Sequence, residues 1–207
     1  MTANVFCLLL FPAMLLTIKA TPQDPLRFGV FADCQYCDCE TAGTRFYRNS
    51  PEKLRECIET FNKNEDLAFI AGLGDLIDRD MESYTPLKTI LQQSEHSVHH
   101  VIGNHDSEVE KEFLNKIPEH LGLTRTYYTV EKANWLFIFL NGNEITFQTN
   151  DPLTEKRAEE MLQKLKAASK PNSYDWNGGM SREQIQWLDQ QLKKAAGKNL
   201  QVGLFCH

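Results

Sequence analysis

The sequence has no basic surplus: 22 Lys plus Arg stand against 28 Asp plus Glu in 207 residues, a net charge of -6. A nonspecific nucleic-acid binder would show the opposite balance. There is no unbroken apolar run of the ~20 residues that a membrane span needs, and a mean hydropathy of -0.43 excludes a multi-span membrane protein. No internal repeat or low-complexity segment interrupts the chain. At 42% hydrophobic residues it is too apolar for a wholly disordered chain. Its length allows one domain with a core, or two small ones at most.

The N-terminus is apolar over residues 5–18 but broken by Pro12. That pattern predicts a secretory signal over residues 1–20, with Thr17-Ile18-Lys19-Ala20 as the cleavage segment, although no basic residue precedes the run. The expected localisation is secreted or periplasmic, with no stable membrane span. Removing residues 1–20 takes away one Lys and leaves a net charge of -7. It also removes Cys7, leaving Cys34, Cys37, Cys39, Cys57 and Cys206, an odd set that cannot all pair within one chain. The close spacing of Cys34, Cys37 and Cys39 resembles half of a zinc site, yet no second Cys or His pair completes it. A loop with free or partly paired thiols is the simpler reading.

From residue 26 onward, apolar runs alternate with helical patterns. Residues 26–32, 67–73 and 97–102 read as buried strands, and each is followed by polar residues. Ser50 as N-cap with Pro51 opens a helix, Thr85-Pro86 opens another, and residues 108–121 form a third. About 30 to 40 residues per strand-helix unit indicates parallel crossovers. Residues 126–131 and 135–140 then read as an antiparallel pair. Asp151-Pro152 caps a helix to about Ala168, residues 170–179 form a polar loop, and Ser181-x-x-Gln184 is a capping box. Residues 200–205 form a last, buried strand, and the sequence stops just after it, at His207.

Four strand ends carry chemistry: Asp33-x-Gln35, Gly74-Asp75, Gly103-Asn104-His105-Asp106, and His207. In open α/β sheets, ligands bind beyond the carboxyl ends of strands, so these residues can meet at one edge. Two carboxylates, two amide oxygens and an imidazole without thiolate suit a dinuclear manganese, iron or zinc centre. Each motif alone is common, and a strand-end Asp is ordinarily a turn residue. Their order and shared strand context carry the inference.

Taken together, the motifs resemble those of the calcineurin-like metallophosphoesterases over roughly residues 27–207. Gln35, where that family usually has His, points to the manganese-dependent ADP-ribose/CDP-alcohol diphosphatase subgroup. Residues 43–50 (Gly-Thr-Arg-Phe-Tyr-Arg-Asn-Ser) and 177–181 (Asn-Gly-Gly-Met-Ser) are similar to that subgroup too. The resemblance implies a layered α/β/β/α sandwich over residues 21–207. It also implies two divalent ions, manganese first and iron or zinc as alternatives, and hydrolysis of a nucleoside-diphosphate-linked small molecule. Asp33 and Gln35 would hold one ion, Asp75 would bridge, and Asn104 and His207 would hold the other. His105 would contact the phosphate, oriented by Asp106. The family's last Gly-His-x-His segment does not occur before His207. The expectation is therefore a C-terminally truncated domain with an incomplete metal site and an exposed apolar sheet edge near residues 200–205.

Arg45, Tyr47 and Arg48 form a candidate substrate clamp, weighed equally against a surface loop with one aromatic tucked into the core. Asn177 and Gly178 are candidates to present backbone N–H groups to phosphate, against a simple turn before Ser181. His96, His99 and His100 are read as structural, because alternation along a strand separates His99 from His100. His120 reads as a helix-end partner, and Met161, Leu162 and Leu165 as a helical core stripe. The competing functions are a noncatalytic or inactive metallophosphoesterase fragment, a phosphodiesterase or phosphomonoesterase of the same family, and a zinc or redox protein built on Cys34, Cys37 and Cys39.

Overall fold

A computed structural model describes residues 25–207. The expected signal segment at residues 1–20, with its expected cleavage site and Cys7, lies outside the described residues. Two three-stranded sheets organise the chain. β1 (Arg27–Phe31), β2 (Leu67–Gly72) and β3 (Val98–His100) form the first, in that order and wholly parallel. β4 (Tyr128–Lys132), β5 (Trp135–Phe139) and β6 (Gln201–Phe205) form the second. There β4 and β5 are antiparallel and β5 and β6 parallel.

The two most buried strands, β2 and β5, are covered on both faces. In β2, Ile70 packs with Leu54 and Ile58 of α1 (Ser50–Asn62) and with Leu87 and Ile90 of α2 (Tyr84–Leu91). Phe69 and Ala71, on the opposite face, meet Phe137 and Phe139 of β5. β5 then turns Leu136 and Ile138 outward against Ala195, Trp187 and Leu188 of α5 (Arg182–Gly197). The layers run helix, sheet, sheet, helix, as expected. His99 and His100 divide between the two faces of β3. His99 lies 5.5 Å from the Phe139 ring in the inter-sheet layer, while His100 sits edge-on to Phe31. Burial holds the His100 imidazole down to about 4, so it is a neutral core residue.

Four local expectations change. Residues 108–121 are not one helix but a 3-10 segment (Lys111–Lys116) followed by a single α-turn, α3 (Ile117–His120). Pro118 has no N–H for the carbonyl of Leu114, so an α-helix cannot run through it. His120 ends that turn with its ring 5.3 Å from Tyr84. α1 begins at Ser50 itself, with Asn49 in the N-cap position and no side-chain cap. The strand near the end is not buried on both faces. β6 pairs only with β5 among the described residues, and Leu204 is 55% exposed.

The capping box before α5 is half formed. Ser181 Oγ accepts the Gln184 N–H, but the Gln184 side chain does not return to Ser181. It reaches Asn141 at the end of β5, accepting from its N–H and donating to its carbonyl at 2.8 and 3.0 Å. Glu144 accepts the Ser181 N–H instead. α4 (Pro152–Ala167) is capped by Asp151 as expected, but it buries only Ala158 fully. No helix among the described residues is long and apolar enough to cross a membrane.

The fully buried Gln184 thus ties α5 to the end of β5. Gln184→Ala removes three side-chain hydrogen bonds and strands two buried backbone groups, an expected loss of about 3 kcal/mol in denaturant-unfolding free energy. Unchanged stability would show that water replaces the amide.

Candidate metal and phosphate site

Beyond the carboxyl ends of β1 and β2, two turns pair through backbone bonds. The Asp33, Gln35 and Tyr36 N–H groups donate to the carbonyls of Gly74, Asp75 and Leu76. This pairing holds Asp33, Gln35 and Asp75 at φ values of 55°, 45° and 52°, in the left-handed region that side chains disfavour. Three candidate ligands thus sit on strained backbone, which requires outside support.

Asp106 supplies that support. Its carboxylate is fully buried and accepts the N–H groups of Asp75, Leu76, Ile77 and Gly103 at 2.8 to 3.3 Å, with the Tyr84 hydroxyl also donating. Burial pushes the carboxyl up to about 6, although the N–H donors pull the other way. Gly103 completes the approach, because a Cβ there would run into the Asp75 backbone nitrogen and carboxylate.

The five predicted ligands come together. Ligand atoms of Asp33, Asp75 and His207 lie within 4.8 Å of one another. Asp75 is central: Oδ1 accepts the His105 N–H, and Oδ2 accepts from Gln35 Nε2 and lies 3.5 Å from His207 Nε2. His207 Nδ1 is 2.8 Å from the Leu73 carbonyl, which can only accept, so in a neutral ring Nδ1 carries the proton and Nε2 is the nitrogen that could ligate a metal. Nε2 faces Asn104 Oδ1 at 3.2 Å and the Asp75 carboxylate. An imidazole nitrogen, an amide oxygen and two carboxylates converge, a donor-atom set that fits a divalent cation.

The position of His105 corrects one expectation. Asp106 is engaged with backbone amides, and it is Asp78 that faces the imidazole. Asp78 Oδ1 lies 3.0 Å from His105 Nδ1, and Glu108 Oε1 lies 3.5 Å from the same nitrogen. Asp78 is 2% exposed and sits among cations: Arg45 Nη1 is 3.6 Å away, and Arg79 donates to Oδ2 at 3.1 Å. Asp78 was missed in the sequence, where its signal was only the spacing Asp75-x-x-Asp78 after a strand end.

The substrate-clamp candidates separate. Arg45 lines a cavity of about 400 Å³ that opens beside Asp33 and Gln35. Tyr47 is buried under Arg79, so its ring is not a free stacking face. Arg48 turns away to Asp38 and Glu40, each at 2.6 Å. The 177–179 segment is a turn: the Asn177 N–H donates to Tyr174, and Gly179 pairs with Ile145. Gly178 packs on the Gly142 carbonyl and Asn143, where a side chain has no room. The thiol cluster is no metal site, since Cys37 and Cys39 are disulfide-bonded while Cys34, Cys57 and Cys206 are free.

The sequence profile of the calcineurin-like phosphoesterases matches residues 26–203. The chain is 28% identical over 218 residues to an Arabidopsis thaliana protein named manganese-dependent ADP-ribose/CDP-alcohol diphosphatase, covering 89% of this chain and 68% of that one. It is 29% identical over 216 residues to the Mus musculus protein of the same name, covering 84% and 64%. The crystal structure of a dimetal phosphatase from Danio rerio superposes with a TM-score of 0.70 at 24% identity, covering 87% of this chain and 68% of that one, and shows the same fold.

Asp106→Asn keeps the shape of the side chain but replaces one acceptor oxygen with an NH2 group that faces backbone donors. The expected cost is about 2 to 4 kcal/mol in unfolding free energy. Wild-type stability in denaturant would show that the carboxylate is not what holds the turns.

Proposed function

The chain belongs to the calcineurin-like phosphoesterase family, and from that premise we propose that it hydrolyses the diphosphate of nucleoside-diphosphate-linked small molecules, ADP-ribose or CDP-alcohols. Two divalent ions, manganese by preference, would serve it. The observation that carries this reading is the convergence of Asp33, Gln35, Asp75, Asn104 and His207 into one cluster with His105 close by. The names of the Arabidopsis and mouse relatives support the substrate class.

Asp33 and Gln35 would hold one ion, Asn104 and His207 the other, with Asp75 between them. When bound, such ions stabilise charge on phosphoryl oxygens and ease ionisation of water. The protein's own groups do the rest. Nδ1 of His105 faces the buried Asp78 carboxylate, so the ring, when it carries a proton at each nitrogen, would direct its Nε2–H toward a phosphate. Water adds to one phosphorus and releases a proton to solvent, the bond from that phosphorus to the bridging oxygen breaks, and the bridging oxygen takes the His105 proton, which solvent then restores. Two phosphate monoesters result. Arg45 extends from the cavity toward Asp78 and offers a guanidinium to a phosphate oxygen.

Purified protein with added manganese is expected to convert ADP-ribose and CDP-choline to monophosphates, followed by phosphorus NMR. Cleavage of simple monoesters or diesters with both diphosphates intact would overturn the substrate class. Asp75→Ala is expected to abolish turnover. Asp78→Asn is expected to lower kcat about 100-fold or more with little change in KM. A normal kcat would remove Asp78 from the reaction.

A further inference from the structure

The nucleotide half of such a substrate needs a place for its base, and the geometry points to the cavity beside Asp33 and Gln35 as a nucleobase site with Phe46 as its stacking face. This inference rests on the diphosphatase reading above. The cavity adjoins the ligand cluster directly, because Asp33 and Gln35 line both. Its volume of about 400 Å³ is in the range of small-molecule sites. Phe31, Leu54, Cys34 and Cys57 make its inner surface apolar.

Phe46 is 54% exposed on the wall of this cavity, whereas the next residue, Tyr47, is 4% exposed. An exposed aromatic by itself is ordinary. Here the backbone beneath it is fixed from both sides. Ala42 and Arg45 exchange two backbone hydrogen bonds, and the Phe46 carbonyl accepts the Asn49 N–H. Tyr47 is anchored in the core, and Arg48 is held by Asp38 and Glu40. The ring is placed by its neighbours rather than by its own packing, so a flat ligand would pay little ordering cost on binding. Arg45 and Lys53 line the same cavity and complement the phosphate attached to a base.

A second aromatic platform exists. Tyr174 and Trp176 are both half-exposed and stacked, 4.4 Å apart. They occupy one face of each other, and the groove that Trp176 lines is net acidic, with Glu108, Glu155, Glu159 and Asp175 against Lys156 and Lys166. Those carboxylates repel a nucleotide phosphate, which favours Phe46.

Calorimetric titration of the full chain with AMP, CMP and ribose 5-phosphate, with divalent ions chelated, tests the site. AMP and CMP are expected to bind, and Phe46→Ala to weaken both about tenfold while leaving ribose 5-phosphate unaffected. Phe46→Trp should retain nucleotide binding, and Trp176→Ala should change none of the three. The site is overturned if wild-type protein binds neither nucleotide, if F46A binds AMP normally, if F46A weakens ribose 5-phosphate equally, or if W176A is the variant that loses AMP. Phe46-dependent AMP binding together with intact ADP-ribose and CDP-choline under manganese would leave the base site standing and remove only the diphosphatase reading.

Discussion

One buried carboxylate gathers the active end of this protein. Asp106 sits where the turn after β2 and the turn after β3 meet, and it accepts backbone N–H groups from both. Without an acceptor there, those amides would be buried and unpaired, a cost of about 1 to 3 kcal/mol for each group. With it, the Asp75 backbone can stay in the left-handed region, and Gly103 can approach closely enough for the His105 N–H to reach the Asp75 side chain. The local strain at the candidate ligands is thus offset by a network at some distance from any ligand atom.

Two neighbouring carboxylates therefore do different work. Asp106 faces amides and organises the backbone, while Asp78 faces His105, Arg45 and Arg79 and organises side chains. Their environments explain the division. Partial positive charge from N–H dipoles is fixed in direction and suits a structural role. An imidazole and two guanidinium groups carry full or switchable charge and suit proton transfer and anion binding. In a chain with a net charge of -6, this pocket is where cationic side chains concentrate around one anion.

Much of this was legible in the sequence. The apolar runs that became β2 and β5 follow from burial on two faces, and the polar residues at strand ends from the ligand chemistry of Asp, Asn, Gln and His. The five ligands could be named because each belongs to a short local motif. Partnerships across the fold were harder to see. Nothing in the order Asn104-His105-Asp106 says that the imidazole will face a residue 27 positions earlier rather than its neighbour. Arg48 was drawn away by Asp38 and Glu40, charges that composition counts but does not locate. Gln184 looked like half of a cap, and its amide instead satisfies the buried Asn141 backbone just after β5.

The hydrogen bond from His207 to the Leu73 carbonyl joins residues that follow β6 and β2, which belong to different sheets. The ligand cluster therefore straddles the seam of the sandwich, with Asp33, Asp75 and Asn104 contributed by one layer and His207 by the other. Any shear between the layers would open the cluster before it disturbed either sheet. Conversely, a cation bound there would add its binding energy to the cohesion of the two layers, so that resistance to unfolding would rise with metal concentration.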